Sequence, residues 1–224
     1  MCGRYSLAVD YNVLEDRFSF TGGEQSSLGP RYNIAPTQEV LTVVAPPGMG
    51  NEPRMMRWGL IPFWAKDSSI GKHVINARAE TVSVKPSFRK SFQRRRCLVV
   101  ADGFYEWGWR GMYRVPMRIS LATGEPFGFA GVWEGWKSPD GEVFYSCAII
   151  TTLANAMMKS IHDRMPVIVP RQSEAVWLDP GYNDTGELTR LLGPYPSAQM
   201  DAYEVSSLIN SPTNDNSKVL ARVV

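Results

Sequence analysis

Four residues far apart in the chain, Cys2, Asn76, Glu106 and His162, carry groups that together could do amine–carbonyl chemistry. Cys2 directly follows Met1, and its small side chain suits removal of Met1 by the usual aminopeptidase. It would then hold a free α-amine and a thiol on adjacent carbons. Such a pair attacks one aldehyde twice, first as amine and then as thiol, and closes a thiazolidine ring. An internal cysteine cannot do this. Glu106 sits inside the aromatic run Phe104-Tyr105-Glu106-Trp107, where a carboxylate needs a reason. His162 adjoins Asp163, and Asn76 lies in Val74-Ile75-Asn76-Ala77-Arg78-Ala79-Glu80. Nucleophile, acid/base carboxylate, imidazole and amide are the minimum set for this chemistry. Each also has a plainer explanation: a frayed terminus, a structural carboxylate paired with an arginine, a hydrogen-bonded histidine, and the cap of a turn.

Composition bounds the setting. With 224 residues, 44% hydrophobic and 21% charged, the chain can bury one sizeable core. No apolar run approaches a membrane span, and Arg4, Asp10, Glu15 and Asp16 break any signal-peptide pattern. Three cysteines without a CxxC, beside only two histidines, argue against a structural zinc site and a disulfide scaffold. A cytoplasmic protein without metal or cofactor is expected. Net charge is +2, yet residues 54–96 hold eleven Lys/Arg against Asp67 and Glu80. That asymmetry suits a basic surface facing a polyanion, or else a solvated basic helix.

The elements that must position these groups follow from periodicity and turn chemistry. A helix is expected over 5–20, with Val9, Val13 or Leu14, and Phe18 on its apolar face. Residues 22–30 read as a loop, 31–37 as turn chemistry, 39–45 as a strand and 46–51 as a loop. Residues 54–60 read as a strand entering the corner Trp58-Gly59-Leu60-Ile61-Pro62-Phe63-Trp64, either a packed corner or an exposed wedge on which bases stack. An extended 74–80 would put Asn76, Arg78 and Glu80 on one face. Residues 86–96 read as a basic helix carrying Phe88 and Phe92. Strands are expected over 97–101, 112–121, 126–133, 142–152 and 167–169, with a turn at Asp102-Gly103 and Cys97 and Cys147 in the core. Short helices are expected over 155–161, with Asn155 as cap, and over 173–178 and 186–192. A polar loop spans 210–217. Without repeats or linkers, the reading is one domain, 1–224, of the α+β class, built mainly on antiparallel sheet.

Six stretches in order give this sequence a familiar look: Met1-Cys2-Gly3-Arg4, Arg31-Tyr32-Asn33-Ile34-Ala35-Pro36, Trp58-Gly59-Leu60-Ile61-Pro62, Ile75-Asn76-Ala77-Arg78-Ala79-Glu80-Thr81, Ala101-Asp102-Gly103-Phe104-Tyr105-Glu106-Trp107 and Ile161-His162-Asp163-Arg164-Met165-Pro166. With them the chain resembles the SRAP family, the SOS response-associated peptidase-like proteins that bind abasic sites in single-stranded DNA. The resemblance covers residues 1 to about 170, and the segment 171–224 is less distinctive. It implies a pseudo-barrel with peripheral helices and a basic channel holding the N-terminus. It also implies a covalent join between Cys2 and the ring-opened abasic sugar. Asn76, Glu106 and His162 match the positions used beside the cysteine. Arg4 and Arg78 match phosphate contacts, and Gly3 and Asn33 complete the implied DNA-contact set. Pro36 and the Phe63-Trp64 pair fall where the family separates the strand at the lesion, and a wedge on one side would suit a single-strand/double-strand junction. Some relatives have two tryptophans in succession there, whereas this chain reads Phe63-Trp64-Ala65.

The implied reaction has definite needs. A proton must move to open the abasic hemiacetal, and Glu106 is the candidate. Aromatic neighbours would raise its pKa by desolvation and arginines would lower it. A free α-amine, with a pKa of about 7.7–8.0, attacks first. The tethered thiol then closes the ring with an effective molarity of order 10⁵ M or more. His162 would relay protons and Asn76 would hold the amine or the opened hydroxyl. The partner is single-stranded DNA with an abasic site, met by a monomer without membrane contact. Two other readings stay open: an N-terminal-nucleophile peptidase that cuts Met1-Cys2, and a non-covalent reader of modified bases.

Overall fold

Two β-sheets pack face to face, and the ring contacts between them explain why the N-terminal residues lie inside. Tyr5 meets Trp58 edge-on at 5.3 Å and Phe129 at 5.8 Å, while Phe104 meets Phe129 at 5.9 Å. Phe104 and Phe129 are fully buried, and each such side chain contributes about 1.5–3 kcal/mol. The structure is a computed structural model and describes residues 2–21 and 29–223.

In chain order the elements are β1 (Tyr5–Leu7), α1 (Tyr11–Phe18), β2 (Arg31–Ile34), β3 (Glu39–Val44), β4 (Glu52–Trp58), β5 (Asn76–Arg78), α2 (Arg89–Arg94), β6 (Arg96–Ala101), β7 (Gly103–Arg110), β8 (Tyr113–Leu121), β9 (Phe127–Lys137), β10 (Val143–Leu153), β11 (Arg164–Pro166), α3 (Glu174–Leu178), α4 (Thr185–Arg190) and β12 (Met200–Glu204). One sheet runs β12-β8-β7-β1-β2 and the other β11-β10-β4-β3-β6-β9. β10 also pairs with β9, which closes the second sheet on itself in a barrel-like way. Pairing is mostly antiparallel; β4 and β5 run parallel to β10. The α+β, mainly antiparallel class is thus observed, with the short helices at the periphery. Among the described residues, no helix is long and apolar enough to cross a membrane.

β10 is the spine that assembles the site. β4 and then β5 follow it in parallel, Cys147 opposite Trp58 and Ile149 opposite Asn76. β9 and then β11 pair with it antiparallel, Ile149 opposite Gly131 and Leu153 opposite Arg164. Between β4 and β5 the chain makes a tight corner. A Cβ on Gly59 would fall 2.5 Å from the carbonyl oxygen of Gly71, so the close approach requires glycine.

Several expectations are corrected. Residues 5–20 are not one helix: Tyr5–Leu7 is a strand, drawn into pairing with β2 and β7. The buried face of α1 is Tyr11, Leu14 and Phe18, with Val13 exposed. Residues 31–34 are a strand, and the turn comes at Pro36-Thr37. The loop expected over 22–30 lies outside the described residues at 22–28. Asp102-Gly103 is a crossing from one sheet to the other. Asp102 is buried there, accepting from Ser6 Oγ and the Ala8 amide, each at 2.6 Å. The strand near 167–169 is placed at Arg164–Pro166, and beyond it Ile168 makes a single antiparallel bridge to Phe129. Asn155 does cap its turn, its Oδ1 accepting from the Met158 amide at 2.8 Å.

The basic helix is shorter than expected and loses two of its charges. Arg96 begins β6 and is buried, donating to the carbonyl oxygens of Phe92, Gln93, Trp177, Asp179 and Tyr182. Burial lowers its pKa to about 10. Arg95 pairs with Glu134 at 2.7 Å.

Candidate active site

Strand pairing carries the N-terminus to Glu106. Tyr5 stands opposite Phe104 and Ser6 opposite Gly103, and the Tyr105 amide donates to the Arg4 carbonyl at 2.9 Å. Continued by the same antiparallel step, this register brings Gly3 opposite Glu106. Alternation along β7 explains the carboxylate among aromatics. Phe104 and Glu106 face the space between the sheets. Tyr105 and Trp107 face outward, against Val205, Ile209 and Val219 of the C-terminal segment. Glu106 therefore sits where the core ends, only 3% exposed.

The electrostatics follow from that burial. Desolvation raises the pKa of Glu106, and the positive fields of His162 and Arg114 work against it without reversing it. Burial likewise pushes the fully buried Cys2 thiol well above its ordinary range, and the nearby Glu106 carboxylate pushes it further. Burial thus raises both groups, the carboxyl and the thiol, above their ordinary ranges. A carboxyl in its acid form can donate a proton, and its conjugate base can take one back.

Asn76 and His162 are held from opposite sides of β10. Asn76 Nδ2 donates to the Cys2 carbonyl at 2.8 Å, which ties β5 to the N-terminus. Its Oδ1 is buried and has no hydrogen-bond partner among the described residues, so one acceptor stays available. His162 Nδ1 accepts from the Arg164 amide at 3.0 Å and lies 2.8 Å from Asp163 Oδ1. With Nδ1 accepting, the neutral ring carries its proton on Nε2; a proton on Nδ1 would serve Asp163 instead. Arg164, buried, locks the two sides together. It grips Glu80 with two bonds of 3.0 Å and donates to the Thr151 carbonyl at 2.7 Å. That pairing holds the Glu80 carboxyl below its ordinary range.

The residues expected to contact DNA fall into two groups. Arg4 is half-buried, and its guanidinium donates to Asn33 Oδ1 at 2.7 Å and to the Ile209 carbonyl at 2.8 Å. Burial lowers its pKa. Asn33 is fully buried, and its Nδ2 donates to the carbonyls of Ile209, Ser211 and Asn214. Its side chain therefore supports Arg4 from inside. Arg78, by contrast, is exposed at the end of β5, two residues beyond Asn76. The second group surrounds the corner. Pro36 is followed by Thr37 at φ 74°, a strained value for a β-branched residue. Phe63 and Trp64 are each about half exposed, at 49% and 50%. Lys90 of α2 lies 4.5 Å from the Phe63 ring centre, so the basic helix meets the aromatic pair. Trp136 Nε1 donates to the Ala65 carbonyl at 2.8 Å and anchors this loop.

Sequence reasoning missed three contributors. Arg114 acts on Glu106 through space, from the neighbouring strand. The Glu80–Arg164 pair lay inside recognised stretches, and that proximity was the available signal. The C-terminal segment carries no signal of this kind, yet Asp215 accepts from Arg31 Nε at 2.7 Å and from the amides of Tyr32 and Asn33. Among the described residues there is no group of three or more His, Cys, Asp or Glu arranged to hold a metal ion.

Comparisons with known proteins bear on this geometry. A family model described as SOS response associated peptidase (SRAP) matches residues 1–212. Abasic site processing protein YoqW of Bacillus subtilis is 45% identical over 222 residues, covering 98% of this chain and 99% of that protein. Abasic site processing protein HMCES of Rattus norvegicus is 34% identical over 198 residues, covering 74% of this chain and 55% of that one. A solved structure from Bacteroides thetaiotaomicron superposes with a TM-score of 0.90 at 28% identity, over 100% of both chains.

Proposed function

The chain belongs to the SRAP family, and from that premise we propose that it binds abasic sites in single-stranded DNA and joins Cys2 to them as a thiazolidine. On this reading the whole chain acts as one domain and as a monomer. The supporting observation is a buried cluster: the Cys2 thiol and the Glu106 carboxyl act on one another electrostatically, and Asn76 Nδ2 donates to the Cys2 carbonyl with its Oδ1 left over.

Met1 is removed, freeing the Cys2 amine. Glu106 donates a proton to the ring oxygen of the abasic sugar as the hydroxyl proton of the anomeric carbon departs, which opens the hemiacetal to an aldehyde. The amine adds to the carbonyl carbon, and water leaves as an iminium forms. A thiol with a raised pKa does not compete for the aldehyde as thiolate, so the amine attacks first. The iminium charge then favours thiol ionisation, sulfur adds to the same carbon, and the released proton passes to Glu106 or His162. Asn76 Oδ1 accepts from the amine or the opened sugar hydroxyl. Arg78, Arg4 and Gly3 line the phosphate path, with Asn33 as the support of Arg4. Trp64, Phe63 and Pro36 stack on or part the strand.

The test is a denaturing gel and intact mass of protein incubated with an abasic single strand. The expected product survives heating and equals protein lacking Met1 plus DNA minus one water. Peptide turnover without attachment, or adduct on the species that retains Met1, would overturn the proposal.

A further inference from the structure

An open groove begins at His162 and runs away from Cys2 along the β7–β8 hairpin. It is lined by Trp109 and Arg114 of the hairpin and by Lys159, Ile161, His162 and Asp163 of the segment before β11. Ile161 packs against β7 at Gly108. The hairpin closes over the two-residue turn Gly111-Met112, with Gly111 at φ 61° and Arg110 opposite Tyr113.

Three observations point to nucleic acid. First, Trp109 is 63% exposed beside Tyr113 at 72%, so two aromatic faces stand in solvent at one tip. Second, the charges in the groove are sorted. Arg110 is neutralised by Glu204 at 2.9 Å, and Asp163 faces His162 Nδ1 at 2.8 Å. Arg114 and Lys159 have no carboxylate within ion-pair distance among the described residues. Third, the Arg114 guanidinium lies 4.9 Å from the Trp109 ring centre, a cation–π arrangement that presents an aromatic face and a cation together. Stacking faces with interleaved cations suit a single strand of any sequence. His162, one of the four candidate site residues, lines the groove at its near end.

We infer that this groove is a second DNA subsite, which takes the nucleotides on one side of the lesion with a base stacked on Trp109 and phosphates met by Arg114 and Lys159. It rests on the proposed function for the place of the lesion. The exposed Phe63-Trp64 corner would serve the other side, so the strand would cross the pocket from one aromatic platform to the next.

The test uses fluorescence anisotropy with single strands carrying a tetrahydrofuran in place of the abasic sugar, a probe that cannot react. Strands that end at the lesion are compared with strands extended by a few nucleotides on each side in turn. Extension on one side is expected to strengthen binding. Trp109→Ala should reduce that gain by about five-fold or more, the value of one stacked base, and Trp109→Phe should restore most of it. Arg114→Ala and Lys159→Ala should each lower the salt slope by about 0.7. Thermal midpoints should hold, because all three side chains are exposed. If the gain on extension is the same in Trp109→Ala and the slopes do not move, the inference is wrong. Adduct formation with true abasic strands is read separately. Its absence, with flank-dependent binding to the furan strands intact, would sink the covalent reading and leave the subsite standing.

Discussion

Replacing Glu106 with glutamine separates a group that moves protons from one that only fills space. The carboxyl is 3% exposed, and its pKa is raised mainly by burial, against the fields of His162 and Arg114. Gln keeps the shape and cannot transfer a proton. A positioned acid/base typically contributes about 10² to 10⁴ in rate, or about 3–5 kcal/mol of barrier. Glu106→Gln should therefore bind abasic strands much as wild type does and crosslink slower by that factor, read from a quenched time course. Stability supplies the control. A carboxyl whose folded pKa lies above its unfolded value stabilises the fold below the unfolded value, about 4.3. That contribution is lost as pH rises through the folded value. Gln has no such dependence, so the thermal midpoint of Glu106→Gln should gain on wild type as pH rises above about 4.3. A carboxylate kept only to pair with a cation predicts the reverse, a less stable variant at neutral pH. A wild-type crosslinking rate per folded molecule would refute the assignment of Glu106.

Further outcomes follow from other contacts. Cys2→Ser should give at most a Schiff base that borohydride traps and heat releases; a heat-stable adduct would exclude the thiazolidine. Arg78→Ala, at an exposed position beside Asn76, should weaken binding to intact and abasic strands alike and lower the salt slope by about 0.7; an unchanged slope removes Arg78 from the footprint. Asn33→Ala should lower the thermal midpoint, because the carbonyls of Ser211 and Asn214 lose a donor and Arg4 loses an acceptor. A buried polar group left unpaired costs about 1–3 kcal/mol, so a midpoint equal to wild type would mean that water takes the place of the amide.

What the sequence made legible depended on whether the signal was local. Continuous apolar runs marked β6, β9 and β10, and Cys97 and Cys147 are buried in them as expected. The carboxylate of Phe104-Tyr105-Glu106-Trp107 stood out because a Glu among large apolar residues needs a reason. Tyr5–Leu7 was hidden because three residues carry no period of their own, and they become a strand only by pairing with β2 and β7. Arg96 looked like one more charge on a solvated helix. Its partners are main-chain carbonyls, which every sequence has and none advertises. The loop 210–217 was legible as polar and illegible as structural for the same reason: Asn33 is held by its backbone oxygens. Cys2, Asn76, Glu106 and His162 were legible as chemical types. The Glu80–Arg164 clamp that steadies Asn76 and His162 was not, since it depends on the order of strands around β10.

The bond from Arg4 to the Ile209 carbonyl spans 205 residues, and that separation sets a clock. A ribosome adding about 5–20 residues per second needs roughly 10–40 s to pass from one partner to the other. β7 is made only about halfway through that interval and the C-terminal cover only at its end, and contacts this distant in sequence form late. The amine-bearing end of the chain is then open to processing enzymes, although Cys2 is sealed from solvent in the finished fold. On the proposed function, trimming of Met1 would come first and enclosure second, so that the aminothiol is exposed only while the chain is being made and is buried once it is folded.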